Sequence, residues 1–225
     1  TIALVGRNGA GKTTLVKLLA RLYEPDAGRI TLGGRPVSEM DPSEVRRRLG
    51  VVFQDFVQYH LTARENVGLG WIPSIGDEEE VREAATKGGA HAIIDGLPEG
   101  YSTVFGRYYG GVQLSVGQWQ QVALSRAFMR HSDVLVLDEP SAALDAEAEA
   151  SLHDRLEQLK GGRTVILITH RFSTVRFADR IVVLDGGRIV EEGTHADLIS
   201  RGGLYARLFM AQARGYEVGG AGDRK

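Results

Sequence analysis

Short apolar runs alternate with amphipathic stretches along most of the chain. The runs are rich in Val, Ile and Leu, and in the stretches between them apolar residues recur with the spacing of a helix. This alternation predicts an α/β fold in which a mainly parallel sheet is flanked by helices. The predicted core strands are Thr1–Val5, Leu49–Phe53, Val134–Leu137, Thr164–Ile168 and Ile181–Leu184.

Helices are predicted where apolar residues recur every three or four positions. Such spacing occurs at Leu15–Leu22 and at Ala148–Leu159. After the last core strand, a pair of glycines at 186–187 followed by apolar residues at 189–190 indicates a hairpin. The stretch Ala196–Ala213 is then predicted to form closing helices.

The alternation stops between about Pro73 and Arg130. Acidic residues at 77–80 open a helical segment, glycine-rich turns follow, and another helix begins near Ser115. We interpret this region as a helical subdomain inserted into the sheet core. The predicted division is a first part of the core at 1–72, the helical subdomain at 73–130, a second part of the core at 131–213 and a flexible tail at 214–225.

The composition is that of an ordinary soluble domain. Apolar residues make up 43% of the 225 positions, charged residues 25%, and the net charge is −2. A near-neutral balance does not favour a nucleic-acid partner. The absence of cysteine excludes disulfides and thiolate chemistry. No apolar run reaches the roughly 18 residues of a membrane span. Since the chain opens on an apolar strand, without Met or a signal-peptide pattern, we expect a longer natural protein.

The segment from Gly6 to Thr13 reads G-R-N-G-A-G-K-T and fits the phosphate-binding pattern G-x-x-x-x-G-K-[ST]. It follows a predicted strand and precedes a helix, so backbone N–H groups and the helix N-terminus are expected to face an anion. Lys12 is predicted to reach the β- and γ-phosphates, and the Thr13 hydroxyl to ligate Mg²⁺. The predicted phosphate-binding residues are Gly6, Asn8, Gly9, Ala10, Gly11, Lys12, Thr13 and Thr14.

Two carboxylates follow the apolar strand at 134–137. Because ligands of parallel sheets gather at the carboxyl ends of the strands, Asp138 and Glu139 are expected beside the phosphates. Asp138 is predicted to hold Mg²⁺ directly or through water. Glu139 is predicted to polarise an attacking water as general base. A strand that merely ends in surface acids is the alternative, and the neighbouring phosphate-binding loop weakens it.

The pentapeptide Leu114-Ser115-Val116-Gly117-Gln118 opens an apolar-patterned helix shortly before the strand that carries the two acids. It resembles the L-S-G-G-Q signature of ATP-binding cassette (ABC) ATPases, which have a RecA-like P-loop NTPase core. In that family the signature binds the γ-phosphate of the ATP held by the opposite subunit. The resemblance implies this role for Ser115, Val116, Gly117 and Gln118. Taken alone, Ser115 and Gln118 also fit a helix capping box.

Other residues match the order of landmarks in that family. Gln54 matches the glutamine that contacts Mg²⁺ or water and senses the partner domain. His170 matches the histidine that hydrogen-bonds the γ-phosphate and the catalytic acid, and Ser141 and Asp145 match the D-loop that crosses the dimer interface. The resemblance implies ATP as substrate, with Glu139 and His170 as catalytic residues and Thr13, Gln54 and Asp138 as Mg²⁺ ligands.

Several short stretches of the sequence are similar to those of bacterial peptide, lipid and drug exporters. They lie at 55–59, 97–101, 118–121 and 185–195. In such proteins the cassette is fused to, or paired with, a membrane domain whose cytoplasmic helices press on the surface around Gln54. The resemblance covers residues 1–213. It implies a dimer of nucleotide-binding domains with ATP at the interface, working at the cytoplasmic face of the cell membrane.

Three features depart from the family pattern. Val116 stands where glycine is usual, and its β-branched side chain crowds the approach of the opposite phosphate. This suggests either a heterodimer, in which this signature completes a weaker site, or a homodimer that tolerates valine. The stretch at 105–111 lacks the acid that exporters usually carry there. The family's adenine-stacking aromatic lies upstream of the phosphate-binding loop, before the first residue of this chain.

Two other classes stay open at this point. A non-transport ABC ATPase acting on translation or DNA repair would carry tandem cassettes, long coiled coils or basic extensions, and the sequence shows none of these. A P-loop GTPase or kinase would lack the signature. A GTPase would also carry the base-reading motif N-K-x-D, which does not occur here.

Overall fold

The computed structural model of the chain describes residues 1–107, 110–140, 162–176 and 178–219. The predicted helix at Ala148–Leu159 and the predicted interface residues Ser141 and Asp145 lie outside these ranges. The strands are β1 (Ile2–Gly6), β2 (Thr31–Leu32), β3 (Arg35–Pro36), β4 (Leu49–Val52), β5 (Val134–Asp138), β6 (Thr164–Ile168), β7 (Arg180–Asp185) and β8 (Arg188–Gly193).

Six of these strands form one sheet in the order β4-β5-β6-β1-β7-β8, and β2 pairs with β3 in a separate ribbon. Neighbours from β4 to β7 are parallel, whereas β8 returns antiparallel to β7 as the predicted hairpin. All five predicted core strands are confirmed, with each end within one residue of its predicted position. The carboxyl ends of β1, β4 and β5 therefore meet at one edge of the sheet.

The helices among the described residues are α1 (Lys12–Leu19), α2 (Pro42–Arg48), α3 (Ala63–Gly68), α4 (Glu78–Gly88), α5 (His91–Asp95), α6 (Val116–Met129), α7 (Phe172–Val175), α8 (His195–Ser200) and α9 (Leu204–Gly219). Within the described ranges, no helix combines the length and apolarity required to span a bilayer.

Alternate residues of the parallel strands pack against helices on opposite faces of the sheet. On one face, Leu4 and Val136 pack with Val16 of α1. On the other face, Leu135 and its neighbours on β5 and β6 pack with α6, and Val5 packs with α7, α8 and α9. The sheet is thus covered on both faces, which explains why its strands read as continuous apolar runs.

Helix α1 begins directly after the phosphate-binding loop and ends at Leu19, three residues before the predicted end at Leu22. The prediction of a longer helix is wrong because Arg21 adopts a left-handed backbone conformation, with φ of 50°. Its guanidinium donates to the carbonyl oxygens of Ser38, at 3.2 Å, and Met40. These contacts with a distant segment turn the chain where apolar spacing alone would continue the helix.

The helices α3 to α6 enclose an apolar core of their own, which includes Phe105 and Trp119. Asp77 caps α4 by accepting from the N–H groups of Glu79 and Glu80 at 3.1 and 3.0 Å. Helix α3, which lies before residue 73, adds Ala63 and Val67 to this core. The apolar core of the helical region therefore includes residues that precede the predicted boundary at 73.

At the other end of the chain, α9 continues to Gly219. The structure describes residues 214–219 as part of this helix, and the division into core parts, helical subdomain and flexible tail stays a prediction. Ala211, Gln212 and Ala213 favour a helix, and a single glycine at 215 costs only about 1 kcal/mol in its interior.

Candidate functional site

A cavity of about 660 Å³ opens at the edge of the sheet where β1, β4 and β5 end beside the start of α1. We call it the P-loop cavity. It is lined by Asn8, Gly9, Ala10, Gly11, Lys12, Thr13, Thr14, Gln54, Asp138, Glu139 and His170. Apart from Gly6, which lies behind the lining, the structure brings together all the residues predicted to serve this chain's own nucleotide.

The loop between β1 and α1 is shaped by close backbone contacts. A Cβ atom on Gly6 would lie 2.3 Å from the carbonyl oxygen of Leu184, so only glycine allows β1 to end this close to β7. Gly11, with φ of 101°, turns the loop into α1 without a side-chain cap. Gly11 has no side chain that could cap the first N–H groups of α1, and a helix start of this kind suits an anion.

Lys12 lies at the centre of this loop. Its Nζ donates to the carbonyl oxygens of Gly6 and Arg7 at 2.8 and 3.1 Å, which holds the ammonium group inside the turn. The loop thus combines oriented N–H groups with a fixed positive charge, and this pairing suits a polyphosphate.

Asp138 and Glu139 are both buried, with 8% and 7% of their surfaces exposed. Burial raises the pKa of Asp138 above its ordinary value, and the charge of Glu139 raises it further. Lys12 acts in the opposite direction, and Asp55 adds a smaller upward effect. Two acids are thus held together at an electrostatic cost, and a cation bound beside Asp138 would offset that cost.

Glu139 is held from several sides. Its N–H donates to the carbonyl oxygen of Ile168 at 2.8 Å. Its carboxylate accepts from the N–H of His170 at 3.2 Å and from the Thr169 hydroxyl at 3.3 Å, and it lies 2.8 Å from His170 Nδ1. Against an ionised carboxylate, Nδ1 is the donor. The predicted contact between His170 and Glu139 is therefore present.

No role at the site was predicted from the sequence for Thr169 or Gln120, although both contact Glu139. Thr169 is buried, and its Oγ1 also accepts from the N–H of Arg171 at 3.0 Å. Gln120 reaches Glu139 from α6, where Nε2 donates to the main-chain oxygen of Glu139 at 3.1 Å. The only available signal for Thr169 was its place beside His170. Gln120 lies in the exporter-like stretch at 118–121, but no local pattern predicts its contact with Glu139, because that contact joins two elements of the fold.

The signature segment (Ser115–Gln118) lies outside the lining of the P-loop cavity, at the N-terminus of α6. Ser115 and Gln118 form a capping box: Ser115 Oγ accepts from the N–H of Gln118 at 3.2 Å, and Gln118 Oε1 accepts from the N–H of Ser115 at 2.8 Å. The side chain of Val116 is 60% exposed. Both interpretations of this segment are thus compatible with its geometry, since the cap leaves the helix start on the surface.

Beyond Gln54, the chain borders a second cavity of about 360 Å³, which we call the docking groove after the role proposed for it below. Its lining includes apolar and aromatic side chains together with two arginines: Phe53, Phe56, Val57, Tyr59, Arg126 and Arg130. Tyr59 and Val57 are exposed.

Buried Asn66 and half-buried Arg126 together fix the wall of the docking groove. The Nδ2 of Asn66 donates to three carbonyl oxygens within residues 59–62 at 3.0–3.1 Å. Arg126 on α6 donates to Asn66 Oδ1 at 2.7 Å and to the carbonyl oxygen of Val57 at 2.8 Å. Burial lowers the pKa of Arg126 to about 10, and its guanidinium lies 5.0 Å from the centre of the Tyr59 ring. The loop after Gln54 is therefore braced to α6.

The sheet, the loop that starts α1 and the buried acids at the end of β5 together define a P-loop nucleoside triphosphatase. A family model described as "ABC transporter" matches residues 1–142. The chain belongs to the ABC transporter family, whose ATP-binding domains hydrolyse ATP. The predicted fold class and family are confirmed.

Curated relatives and a solved structure agree with this assignment. The chain is 45% identical over 213 residues to the mitochondrial potassium channel ATP-binding subunit of Rattus norvegicus, covering 94% of this chain and 29% of that protein. It is 43% identical over 219 residues to the ATP-dependent lipid A-core flippase of Syntrophus aciditrophicus (strain SB), covering 97% and 36%. The structure of a bacterial Atm1-family ABC exporter with ATP bound matches with a TM-score of 0.88 and 38% identity, covering 94% and 36%. The chain spans about a third of the length of these proteins.

Proposed function

We propose that this chain is the ATP-hydrolysing domain of an ABC exporter and that it works in a pair, with ATP between the two domains. The observation that carries the proposal is the convergence of Lys12, Asp138, Glu139 and His170 on the P-loop cavity. The similarity to exporters supports the direction of transport. The low net charge, −2, supports a partner other than nucleic acid.

The P-loop cavity suits ATP together with Mg²⁺. The start of α1 and Lys12 bind the phosphates, as argued above. We assign the Mg²⁺ to the Thr13 hydroxyl, the Gln54 amide oxygen and the Asp138 carboxylate, because all three line the cavity and offer the hard oxygen atoms that this ion prefers. When bound, Mg²⁺ neutralises charge that develops on the phosphates.

We assign the role of general base to Glu139 and the role of holding its carboxylate to His170. The support is the set of contacts at 2.8–3.3 Å that fixes the Glu139 carboxylate from His170 and Thr169. A base fixed in this way accepts the proton of an attacking water without a search for its position. His170 is 65% exposed at its side chain, and we assign to it the additional contact with the γ-phosphate.

A second nucleotide-binding domain completes the site. We propose that the signature segment covers the γ-phosphate in that neighbour, because the start of a 14-residue helix attracts anions and this one lies on the surface. The family pattern assigns Ser141 and Asp145, which are outside the described residues, to the same proposed interface. The neighbour is either another copy of this chain or a related chain, and the exposed Val116 side chain makes the two cases experimentally separable.

A membrane domain is the proposed second partner, fused or separate. Its cytoplasmic helices would contact the docking groove, whose aromatic floor suits apolar side chains and whose Arg126 and Arg130 suit acidic ones or helix C-termini. The groove adjoins Gln54, so a shift of the docked helix reaches the P-loop cavity directly. The domain would then work on the cytoplasmic side of a membrane.

Fractionation of cells that make the full-length protein tests the proposal. We expect the ATPase activity to remain in washed membranes, to be retained after reconstitution in liposomes, and to be lost in the variant Glu139→Gln. Unlabelled ATP should displace labelled ATP from the protein at a far lower concentration than GTP does. Activity found with ribosomes or DNA, in the absence of membranes, would instead assign the chain to the non-transport ABC ATPases.

A further inference from the structure

We infer that Gln120 is a positioning residue for Glu139, acting from helix α6 on the peptide that carries the general base. The inference rests on the proposed role of Glu139 in ATP hydrolysis. Gln120 is 3% exposed, and its Nε2 donates to the main-chain oxygen of Glu139 at 3.1 Å. A buried amide is costly unless it is hydrogen-bonded, so this contact stabilises one orientation of the Gln120 side chain.

The backbone of Glu139 requires such support. Among the described residues, Glu139 and Arg21 are the two non-glycine residues with positive φ, and the φ of Glu139 is 52°. The left-handed conformation costs a non-glycine residue about 1–2 kcal/mol. It persists only where the surroundings determine it. Because φ and ψ set the direction of Cβ, they also set where the Glu139 carboxylate points.

Two tethers of the Glu139 main chain come from different parts of the fold. The N–H donates to Ile168 at the end of β6, in the sheet. The carbonyl accepts from Gln120 on α6, which packs against β5 through Ala123 and Leu124. The sheet therefore fixes the N–H of Glu139, and helix α6 fixes its carbonyl group. Loss of the Gln120 tether would let the backbone relax and the carboxylate turn away from the cavity.

The position of Gln120 along α6 gives this tether a further consequence. Gln120 lies five residues after Ser115, the first residue of the signature segment, which corresponds to about 7.5 Å along a helix axis. A movement of α6 when the signature segment engages a neighbour's nucleotide would therefore move the Gln120 amide with it. Gln120 thereby links the occupancy of the opposite site to the geometry of the base in this chain's own site.

Steady-state ATPase kinetics of the full-length protein test the inference. In Gln120→Met the side chain keeps its volume but loses the donor, and in Gln120→Glu it keeps its shape but, when ionised, can only accept. We expect both variants to lower kcat by about tenfold or more, because a buried carbonyl loses its partner. KM for ATP should stay within about twofold, because the phosphate-binding groups are untouched. The matched control is Gln121→Met, the next residue of α6, with kcat within about twofold of the parent.

The variant Glu139→Gln is measured in parallel, so that a failure of the proposed function can be distinguished from a failure of the role inferred for Gln120. If it remains active, the proposed function fails. If it is inactive while both Gln120 variants keep their kcat, or raise KM alone, the inference about Gln120 is overturned. A double-mutant cycle that combines each Gln120 variant with His170→Ala distinguishes positioning of Glu139 from a purely structural role. Since both residues act through Glu139, the double variant should lose less than the product of the single losses, and a full product would contradict the inference.

Discussion

The P-loop cavity and the signature segment differ in how much of their chemistry a single chain supplies. The cavity draws its lining from four places in the sequence, and its buried acids contact residues of the same chain. The signature segment is one exposed helix start, and within the part of the chain that the structure describes its polar side chains bond to each other's backbone in the capping box. One chain therefore assembles by itself all the groups that line the P-loop cavity. In the proposed function, the signature segment binds phosphate only when another chain supplies the nucleotide.

Replacing the base tests the cavity side of this comparison with the largest expected effect. We expect Glu139→Gln to lower the ATPase kcat of the full-length protein by about 10²–10⁴-fold, because the amide cannot take a proton from water. ATP binding should persist, since Lys12 and the start of α1 are intact, and the ATP-bound pair should become stable enough to isolate. An exposed exchange of the same kind, Glu79→Gln, is the control. Monomers on gel filtration with ATP would count against the paired site.

The hydrogen bonds of Asn66 and Arg126, which join the docking groove to α6, are predicted to contribute strongly to the free energy of unfolding. Asn66 is fully buried and bonds to three carbonyl oxygens and to Arg126. We expect Asn66→Ala to lower the free energy of unfolding by about 2–4 kcal/mol, because several buried polar groups lose their partner at once. Denaturant titration of the full-length protein measures this loss, with the exposed Gln113→Ala as control. A change below about 0.5 kcal/mol would show that the brace is not structural.

Val116 tests the signature side. Its exposed β-branched side chain narrows the approach to the helix start, so we expect Val116→Gly to raise the ATPase turnover of the full-length protein by about fivefold, equivalent to about 1 kcal/mol. Val116→Ala, which keeps helix propensity, should give an intermediate rate. Unchanged turnover in both variants would dismiss the idea of a weakened composite site and favour a pair that tolerates valine.

The smallest expected effect concerns the cost of holding two acids together. Burial, followed by the charge of Glu139, raises the pKa of Asp138 in the folded state. A carboxyl group whose pKa is raised in the folded state stabilises the folded protein at a pH below its unfolded-state pKa. This stabilisation is lost as the pH rises through the folded-state pKa. Without nucleotide and Mg²⁺, Asp138→Asn should therefore melt slightly higher than the parent at pH 7. The difference in melting temperature should vanish as the pH is lowered toward 3.8, the ordinary pKa of an aspartate side chain. Asp185→Asn, at an exposed strand end, is the control, and a lower melting temperature for Asp138→Asn at pH 7 would contradict the electrostatic argument.

The sequence predicted the parts of the site that depend on neighbours along the chain. The loop at 6–13, the acids after β5 and His170 each follow a strand, and parallel strands bring their ends together. Contacts that join distant elements were missed for a physical reason. Asn66 and Arg126 are 60 residues apart, and Gln120 and Glu139 are 19 residues apart, so no local pattern marks them.

Helix boundaries show the same limit. Apolar spacing predicted α1 to end at Leu22, but hydrogen bonds from Arg21 to a segment near residue 40 end the helix at Leu19. Spacing along a chain reports which face of a helix is buried, whereas the end of a helix depends on what the next residues contact. The start of α6 was predicted well because its cap, Ser115, is itself local.

The most direct test of the shared site uses the absence of cysteine in this chain. Full-length protein with Glu139→Gln and Ser115→Cys, together with its natural neighbour, is treated with an ATP analogue that carries a thiol-reactive group on the γ-phosphate. We predict labelling of the thiol introduced at 115 and none of a control thiol, Ser43→Cys, which lies at another exposed helix start. Because the signature segment lies outside the lining of its own P-loop cavity, that label reports the neighbour's ATP. An unlabelled thiol at 115 despite bound analogue would contradict the account.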